Sequence, residues 1–225
     1  MLILAIETTA VTASAALVDE KGIISNFNVN NKLTHSQKLL PMIDAVLTQS
    51  GYKIGDVELI CASAGPGSFT GVRIGIATVK GLAFANNIPC VAVSSLEALA
   101  YLNKNRGAVV CPVMDARRDE YYNALFDSNM NRIVVDRAVR AVALEEELKK
   151  LESVILNGDG AVKFYNWLEG RLSNVKLADD VNLLQNASAV GFCGLEKYKK
   201  GDTVSCDELS PIYLRKPQAE REYKE

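Results

Sequence analysis

The two halves of the sequence carry the same order of predicted elements, and this duplication constrains the fold more than any other feature. Glu7 and Asp115 each end the first apolar run of their half, and Asp19 and Asp127 each open the first turn. The members of both pairs are 108 residues apart. The shared offset and the repeated order of elements indicate two similar α/β lobes.

The first half, residues 1–102, predicts three strands followed by alternating helices and strands. Short apolar or alternating runs mark the strands, and longer periodic segments that end at polar residues or glycine mark the helices. The predicted strands are residues 2–6, 12–19, 23–29, 57–64 and 89–94, and the predicted helices are residues 34–50, 68–86 and 95–102.

After a polar linker at residues 103–107, the second half, residues 108–225, repeats this order. Its predicted strands are residues 108–114, 120–127, 132–139, 153–157 and 174–178, and its predicted helices are residues 144–150, 161–170 and 187–200. The pattern predicts an α/β protein made of two βββαβαβα lobes. We expect the last helix and the tail to pack back on the first lobe.

Composition and charge narrow the class of protein. The net charge is −2, and the positive clusters are short, so the chain lacks the basic stripe expected of a protein that binds nucleic acid alone. The five cysteines form no C-x-x-C pair, and most lie in apolar runs, which predicts buried free thiols in a reducing compartment. No signal peptide and no membrane-spanning segment is expected, so we predict a cytoplasmic protein.

Several segments together resemble one family of proteins. They are ILAIETTAVTASAAL, THSQKLLPMIDAVL, AGPGSFTGVRIGIATVKGLA, VSSLEALA, MDARRDEYY and PIYLRKP. Together they resemble the bacterial TsaB family, also called YeaZ, over nearly the whole chain. The resemblance is strongest over residues 1–100, where GPGSFTGVRIG is very specific, and residues 130–200 contribute little.

The resemblance implies the two-lobed fold of the actin-like ATPase superfamily (RNase H-like) and a role in tRNA modification. TsaB proteins are noncatalytic paralogues and partners of TsaD. TsaD transfers a threonylcarbamoyl group from its adenylate to the adenosine next to the anticodon, in tRNAs that read codons beginning with A. The resemblance also implies a third partner, the ATPase TsaE, self-association as a homodimer when TsaD is absent, and tRNA contact only through the complex. Such proteins also carry glycoprotease-like or peptidase M22-like domain names.

Both hairpins that would hold phosphate are altered. The resemblance to actin-like ATPases implies that a tight turn after the first strand of each lobe binds phosphate. The first turn has Glu7 and Thr8 in place of an initial aspartate. The second retains Asp115, but Ala116 and Arg117 replace the expected glycine, and their side chains would occupy the space of the phosphate. We therefore expect degenerate hairpins and no nucleotide cofactor.

No catalytic or metal-binding group is expected. His35 is the only histidine, whereas the resemblance implies that the catalytic paralogue holds its metal with two histidines. A metal site needs at least three converging ligands. Ser68 lacks the G-x-S-x-G spacing of a nucleophile elbow, and nothing in the sequence brings His35 to it. We expect His35 to lie near the start of its helix without a chemical role.

The turn before the helix at residues 68–86 has two explanations. Gly67 and Ser68 fit a tight turn with an N-cap, and this alone accounts for the glycine. The exposed amides of Phe69 and Thr70, with Arg73 one turn later, are also able to hold an anion. Both explanations remain open.

The helix at residues 68–86 is thin and apolar. Gly71, Gly75 and Gly81 each cost about 1 kcal/mol relative to alanine in a helix. The charged side chains within it are Arg73 and Lys80. A helix that is apolar on nearly every side must be covered on nearly every side. The cover is either the lobe's own core or a second subunit.

The resemblance implies that the helices at residues 34–50 and 68–86 form the subunit contact, and a wide apolar stripe on the first of them favours the same interpretation. We therefore expect a partner interface made of Leu39, Leu40, Met42, Ile43, Val46, Leu47, Phe69, Val72, Gly75, Ile76, Ala77, Val79 and Lys80. A free-standing actin-like ATPase or small-molecule kinase is the alternative function. Glu7 and the altered second hairpin disfavour it, whereas tight nucleotide binding would favour it.

Overall fold

The computed structural model describes residues 1–31 and 34–215. The first lobe contains β1 (Ile3–Glu7), β2 (Ala13–Asp19), β3 (Gly22–Val29), α1 (His35–Gln49), β4 (Leu59–Gly65), α2 (Phe69–Asn86), β5 (Cys90–Ser94) and α3 (Ser95–Tyr101). The second half contains β6 (Val109–Asp115), β7 (Glu120–Phe126), β8 (Arg132–Arg140), α4 (Ala141–Leu148), β9 (Val154–Asn157), α5 (Ala161–Leu168), β10 (Val175–Leu177), α6 (Asp180–Leu183) and α7 (Ala187–Lys199).

Two sheets with the same topology confirm the duplicated fold. The first sheet has the order β3-β2-β1-β4-β5, and the second has the order β8-β7-β6-β9-β10. In each sheet the first strand pairs antiparallel with the second strand and parallel with the fourth. The repeated pattern predicted two such lobes, and the family resemblance implied their actin-like arrangement.

Helices cover both faces of the first sheet. Along β1, Leu4 and Ile6 face the layer of α1 and α2, whereas Ile3 and Ala5 face α7. All five residues of β1 are buried, because a strand in the middle of a doubly covered sheet has no solvent-facing side.

Helix α7 comes from the second half of the sequence but packs against the first sheet. Gly191 and Gly194 make this close approach possible, since a Cβ at these positions would overlap Val18 and Cys61 of the sheet. Helix α3 connects the two lobes on one side, where Leu96 and Leu99 pack against Phe126. The second sheet therefore has α4 and α5 on one face and α3 on the other.

The helices and strands predicted from the sequence are confirmed, with small changes at their ends. Helix α4 begins at Ala141 rather than at residue 144. A 3₁₀ turn at Ile54–Asp56 and the short helix α6 were not predicted. The cysteines at positions 61, 90, 111 and 193 are buried free thiols. Across the described ranges, no helix combines the length and the apolar character needed to cross a membrane.

Candidate functional site

A cleft of about 580 Å³ lies between the two lobes. The β1–β2 hairpin and the start of α2 form one wall, and the β6–β7 hairpin forms the other. Its lining side chains and backbone come from Thr9, Ala10, Val11, Pro66, Gly67, Ser68, Phe69, Thr70, Met114, Asp115, Ala116, Arg117, Tyr122, Asp159 and residues 212–215. The duplicated topology places both first hairpins at this cleft, because the first strands of the two sheets end there.

The glycine-rich segment brings α2 directly onto the β1–β2 hairpin. The Ser68 amide donates to the Thr9 carbonyl at 2.6 Å, and the Thr8 hydroxyl donates to the Gly71 carbonyl at 2.8 Å. A Cβ on Gly67 or Gly71 would overlap the Thr9 or Thr8 carbonyl oxygen. These glycines are therefore explained by close approach of helix and hairpin within one lobe.

Glu7 is buried beneath the hairpin and does not line the cleft. Its Oε1 accepts hydrogen bonds from the Thr9 amide at 2.5 Å and the Thr9 hydroxyl at 2.6 Å. Burial raises the pKa of Glu7, and hydrogen bonds from Thr9 and the nearby Ser63 hydroxyl oppose that rise. Within the described part of the chain, Oε2 has no hydrogen-bond partner of good geometry. Glu7 therefore supports the hairpin from inside rather than presenting a carboxylate to a ligand.

The second hairpin places Asp115 and Arg117 on the cleft wall. Asp115 accepts a hydrogen bond from the Arg117 amide at 2.8 Å and lies 3.3 Å from the Lys163 ammonium. Arg117, Arg118 and Asp119 all adopt positive φ angles between 56° and 62°. Backbone of this kind favours glycine, and here it carries three charged side chains, of which Arg117 lines the cleft.

Asp159 is a third carboxylate of the cleft, which the sequence reasoning missed. It follows β9 in the turn NGDG, and it accepts a hydrogen bond from the Gln185 side chain at 3.0 Å. Burial raises its pKa to about 6, and the Asp115 charge adds to the rise. Strand β9 lies beside β6 in the sheet. Because β6 and β9 are parallel neighbours, the turns at their ends lie side by side. The polar turn after β9 is therefore the sequence signal that could have identified Asp159.

The predicted anion contact is only partly assembled. Gly67, Ser68, Phe69 and Thr70 line the cleft, and the first-turn amides of a helix have no acceptors within that helix. Arg73, however, points elsewhere: its guanidinium stacks on the Phe69 ring at 3.9 Å and donates to the Tyr213 hydroxyl at 3.0 Å. In this structure the Arg73 side chain is held by Tyr213 and Phe69, and an anion contact at this turn stays a prediction.

His35 connects α1 to the β1–β2 hairpin. Its Nε2 lies 2.7 Å from the Ala10 carbonyl, so this nitrogen carries the proton and donates. The other ring nitrogen, Nδ1, is buried and has no partner among the residues described. In those same residues, no cluster of three or more His, Cys, Asp and Glu side chains could hold a metal ion. His35 thus positions the hairpin, a structural contact that the sequence reasoning did not anticipate.

Most of the residues expected at a partner interface belong to the lobe's own core. The buried members are Leu39, Met42, Ile43, Val46, Leu47, Val72, Gly75, Ile76 and Val79. In the isolated chain α1 and α2 pack these residues against the first sheet. Their place at a partner contact stays a prediction. Leu40 and Ala77 are exposed, and Phe69 and Lys80 are half-buried.

Comparisons with known proteins agree on one family. A family model described as "TsaD: tRNA N6-adenosine threonylcarbamoyltransferase" matches residues 22–221. Proteins named "tRNA threonylcarbamoyladenosine biosynthesis protein TsaB" are similar over nearly their full length. The one from Escherichia coli (strain K12) is 33% identical over 96% of this chain and 95% of its own. The one from Bacillus subtilis (strain 168) is 32% identical over 99% and 98%.

Solved structures support the same assignment. YeaZ from Pseudomonas aeruginosa has a TM-score of 0.78 and 27% identity, covering 95% of this chain and 99% of that chain. Component A of (R)-2-hydroxyglutaryl-CoA dehydratase from Acidaminococcus fermentans has a TM-score of 0.54 and 11% identity, over 89% of this chain and 98% of its own, and shows the shared fold alone. The chain therefore belongs to the TsaB (YeaZ) family, within the broader family that the TsaD model describes.

Proposed function

We propose that this chain is a noncatalytic subunit of the cytoplasmic complex that makes N6-threonylcarbamoyladenosine in tRNA. Its direct partner would be TsaD, and TsaE would join the same complex. The support is family membership, since the named relatives are threonylcarbamoyladenosine biosynthesis proteins over nearly their full length. The modified adenosine would be the one next to the anticodon, and tRNA would be contacted only through the complex.

The cleft supports a subunit without its own chemistry. Glu7 is enclosed beneath Thr9, and the β6–β7 hairpin fills the place of a glycine turn with Ala116 and Arg117. An ATPase of this fold needs backbone amides that approach phosphate and a carboxylate that orients a metal-bound water. Glu7 presents no carboxylate to the cleft, and although Asp115 lines it, the turn after Asp115 carries Ala116 and Arg117 where backbone would approach phosphate.

The observation that carries the partner role is the exposed face of α2 together with Leu40 of α1, here called the α1–α2 face. Phe84 is 76% exposed and Leu40 is 56% exposed. Ala77 and Gly81 lie on the same outward side of α2, and Lys80 at its edge turns away to the Asp207 carbonyl at 3.0 Å. An uncharged strip of small and large apolar residues on a helix is typical of a docking surface.

The same face would also support self-association. A homodimer through the α1–α2 face would compete with TsaD, since one surface cannot pack against two partners at once. We therefore expect the isolated chain to form a dimer that TsaD converts into a heterodimer.

Co-expression with TsaD of the same organism, followed by size-exclusion chromatography, tests the proposal. The expected result is one chromatographic peak that contains both chains. In a separate assay, we expect modified tRNA only when TsaD is present. Steady-state ATP hydrolysis by the purified chain alone, abolished in Asp115→Asn at the cleft wall, would instead support a free-standing ATPase. Failure to form a complex with TsaD under conditions where both chains are folded would contradict the partner role.

A further inference from the structure

The segment Ile212–Arg215, here called the strap, bridges the two lobes at the cleft. All four residues line the cleft. The strap follows a segment that joins the first sheet at one point, where the Val204 and Cys90 backbones exchange hydrogen bonds of 2.9 Å. The strap itself contacts both lobes, through Ile212 and Tyr213 on the first lobe and through Arg215 on the second.

The attachment to the first lobe combines backbone and aromatic contacts. The Ile212 amide donates to the Ala64 carbonyl at 2.7 Å. The Tyr213 ring stacks on Phe69 with 4.5 Å between ring centroids, and the Tyr213 hydroxyl accepts from Arg73 at 3.0 Å. The strap thereby lies against the Phe69 side chain at the first turn of α2, where the Phe69 and Thr70 amides have no acceptors within the helix.

The attachment to the second lobe depends on Arg215. Its guanidinium donates to the Ala116 carbonyl at 3.0 Å and forms an ion pair with Glu120. The side chains of Arg215 and Glu120 are 17% and 25% exposed. Because the pair is partly shielded from solvent and Arg215 makes a second hydrogen bond, it stabilises the folded state more than an isolated surface ion pair does. Through the Arg215 side chain the strap thus reaches the hairpin of the second lobe.

The strap buries little apolar surface of its own. Ile212 is 36% exposed and Tyr213 is 42% exposed, so a few polar contacts hold most of it in place. Segments with little buried apolar area open at a lower free energy than the core around them. The lobes remain joined without the strap, because α3 packs Leu96 and Leu99 against the second sheet.

We propose that Ile212–Arg215 is a releasable strap that ties the two lobes together across the inter-lobe cleft. Attached, it links the β6–β7 hairpin to the start of α2 and forms part of the cleft wall. Released at Arg215, it leaves the cleft wall while the two sheets stay folded.

Hydrogen–deuterium exchange of the full chain tests the strap. In Arg215→Ala, we expect exchange of the Ile212 amide to become about tenfold faster, because the strap loses its second attachment. Exchange in β1, β4 and β6 should keep the wild-type rate. Glu120→Gln removes the ion pair while keeping Arg215, and it should give a smaller acceleration at the same amide. Arg106→Ala is the matched control, since it removes an ion pair with Asp179 away from the strap.

Two results would overturn the proposal. One is wild-type exchange of the Ile212 amide in both Arg215→Ala and Glu120→Gln. The other is faster exchange throughout β1, β4 and β6 in both variants, which would show that Arg215 supports the fold as a whole rather than a releasable segment.

Discussion

The Thr8 hydroxyl donates a 2.8 Å hydrogen bond to the carbonyl of Gly71. This bond joins the β1–β2 hairpin to the first turns of α2 inside the first lobe. It is possible because Gly71 and Gly75 present no side chain toward the hairpin, where a Cβ would overlap the Thr8 carbonyl or hydroxyl oxygen. Gly81 belongs to the same helix but has no atom within 4 Å of the position of a Cβ. The glycines of α2 therefore have different roles.

These roles predict opposite effects of the same substitution. Gly71→Ala should lower the free energy of unfolding by about 2–4 kcal/mol, because a backbone oxygen cannot move aside easily. Gly81→Ala should raise it by about 0.5–1 kcal/mol through helix propensity, since that position is exposed. Urea denaturation of both variants measures the difference. Equal destabilisation by the two alanines would show that the helix–hairpin contact is not the reason for Gly71.

The sequence predicted the elements well because their strands and turns have clear local patterns. It could not assign the sides of α2, since a helix that is apolar all round has no periodicity from which a buried face can be identified. The sequence therefore leaves open whether Gly71 and Gly75 face the lobe's own core or a partner, and the structure places Thr8 against both. Contacts such as that between Arg215 and Glu120 could not be predicted for another reason. They join residues far apart in the chain, so no local sequence pattern indicates them.

The raised pKa of Asp159 predicts a specific dependence of stability on pH. The folded chain holds this proton up to about pH 6, whereas an unfolded chain loses it near pH 4. Because the folded state binds more protons in this interval, its free energy of unfolding falls as the pH rises from about 4 to 7. The raised pKa of Glu7 acts in the same direction. In Asp159→Asn, the free energy of unfolding should therefore decrease less between about pH 4 and 7.

Urea denaturation at intervals from pH 4 to pH 8 measures this effect. Asp127→Asn is the control, because hydrogen bonds from Asn131 lower the pKa of Asp127. Asp127 therefore contributes stability above its ordinary pKa that is lost only in acid, and its substitution should leave the slope between about pH 5 and 7 unchanged. If Asp159→Asn follows the wild-type pH profile, Asp159 does not carry the proton.

His35→Ala should reduce stability modestly and leave partner binding intact. The substitution removes the Nε2–H donor of the 2.7 Å contact with the Ala10 carbonyl, at a cost of about 1–2 kcal/mol. His35→Gln retains an N–H donor and should recover part of the loss. Denaturation and modified-tRNA assays with TsaD measure the two consequences. A hundredfold or larger loss of modified tRNA by a folded, TsaD-bound His35→Ala variant would reveal a chemical role.

Ala77→Glu should abolish association while preserving the fold. Ala77 is exposed on the α1–α2 face, close in sequence to Gly81 and Phe84, so a glutamate there meets water in the free chain. In a docked complex the same carboxylate would be buried without a partner, at a cost of several kcal/mol. Each 1.4 kcal/mol weakens binding tenfold, so both the homodimer and the TsaD complex should dissociate at micromolar concentration. Gly75→Leu is unsuitable for this purpose, because its side chain would collide with Thr8 and unfold the lobe.

Val142→Glu is the matched control for Ala77→Glu. Val142 is 62% exposed on α4 of the second lobe, away from the α1–α2 face. Like Ala77→Glu, the Val142→Glu substitution replaces an exposed apolar side chain with a charged one. Circular dichroism melting reports the fold, and size-exclusion chromatography with and without TsaD reports assembly. Only Ala77→Glu should elute as a monomer, and both variants should melt near the wild-type temperature. If Ala77→Glu still forms the homodimer and the TsaD complex at wild-type concentrations, the partner docks on another surface.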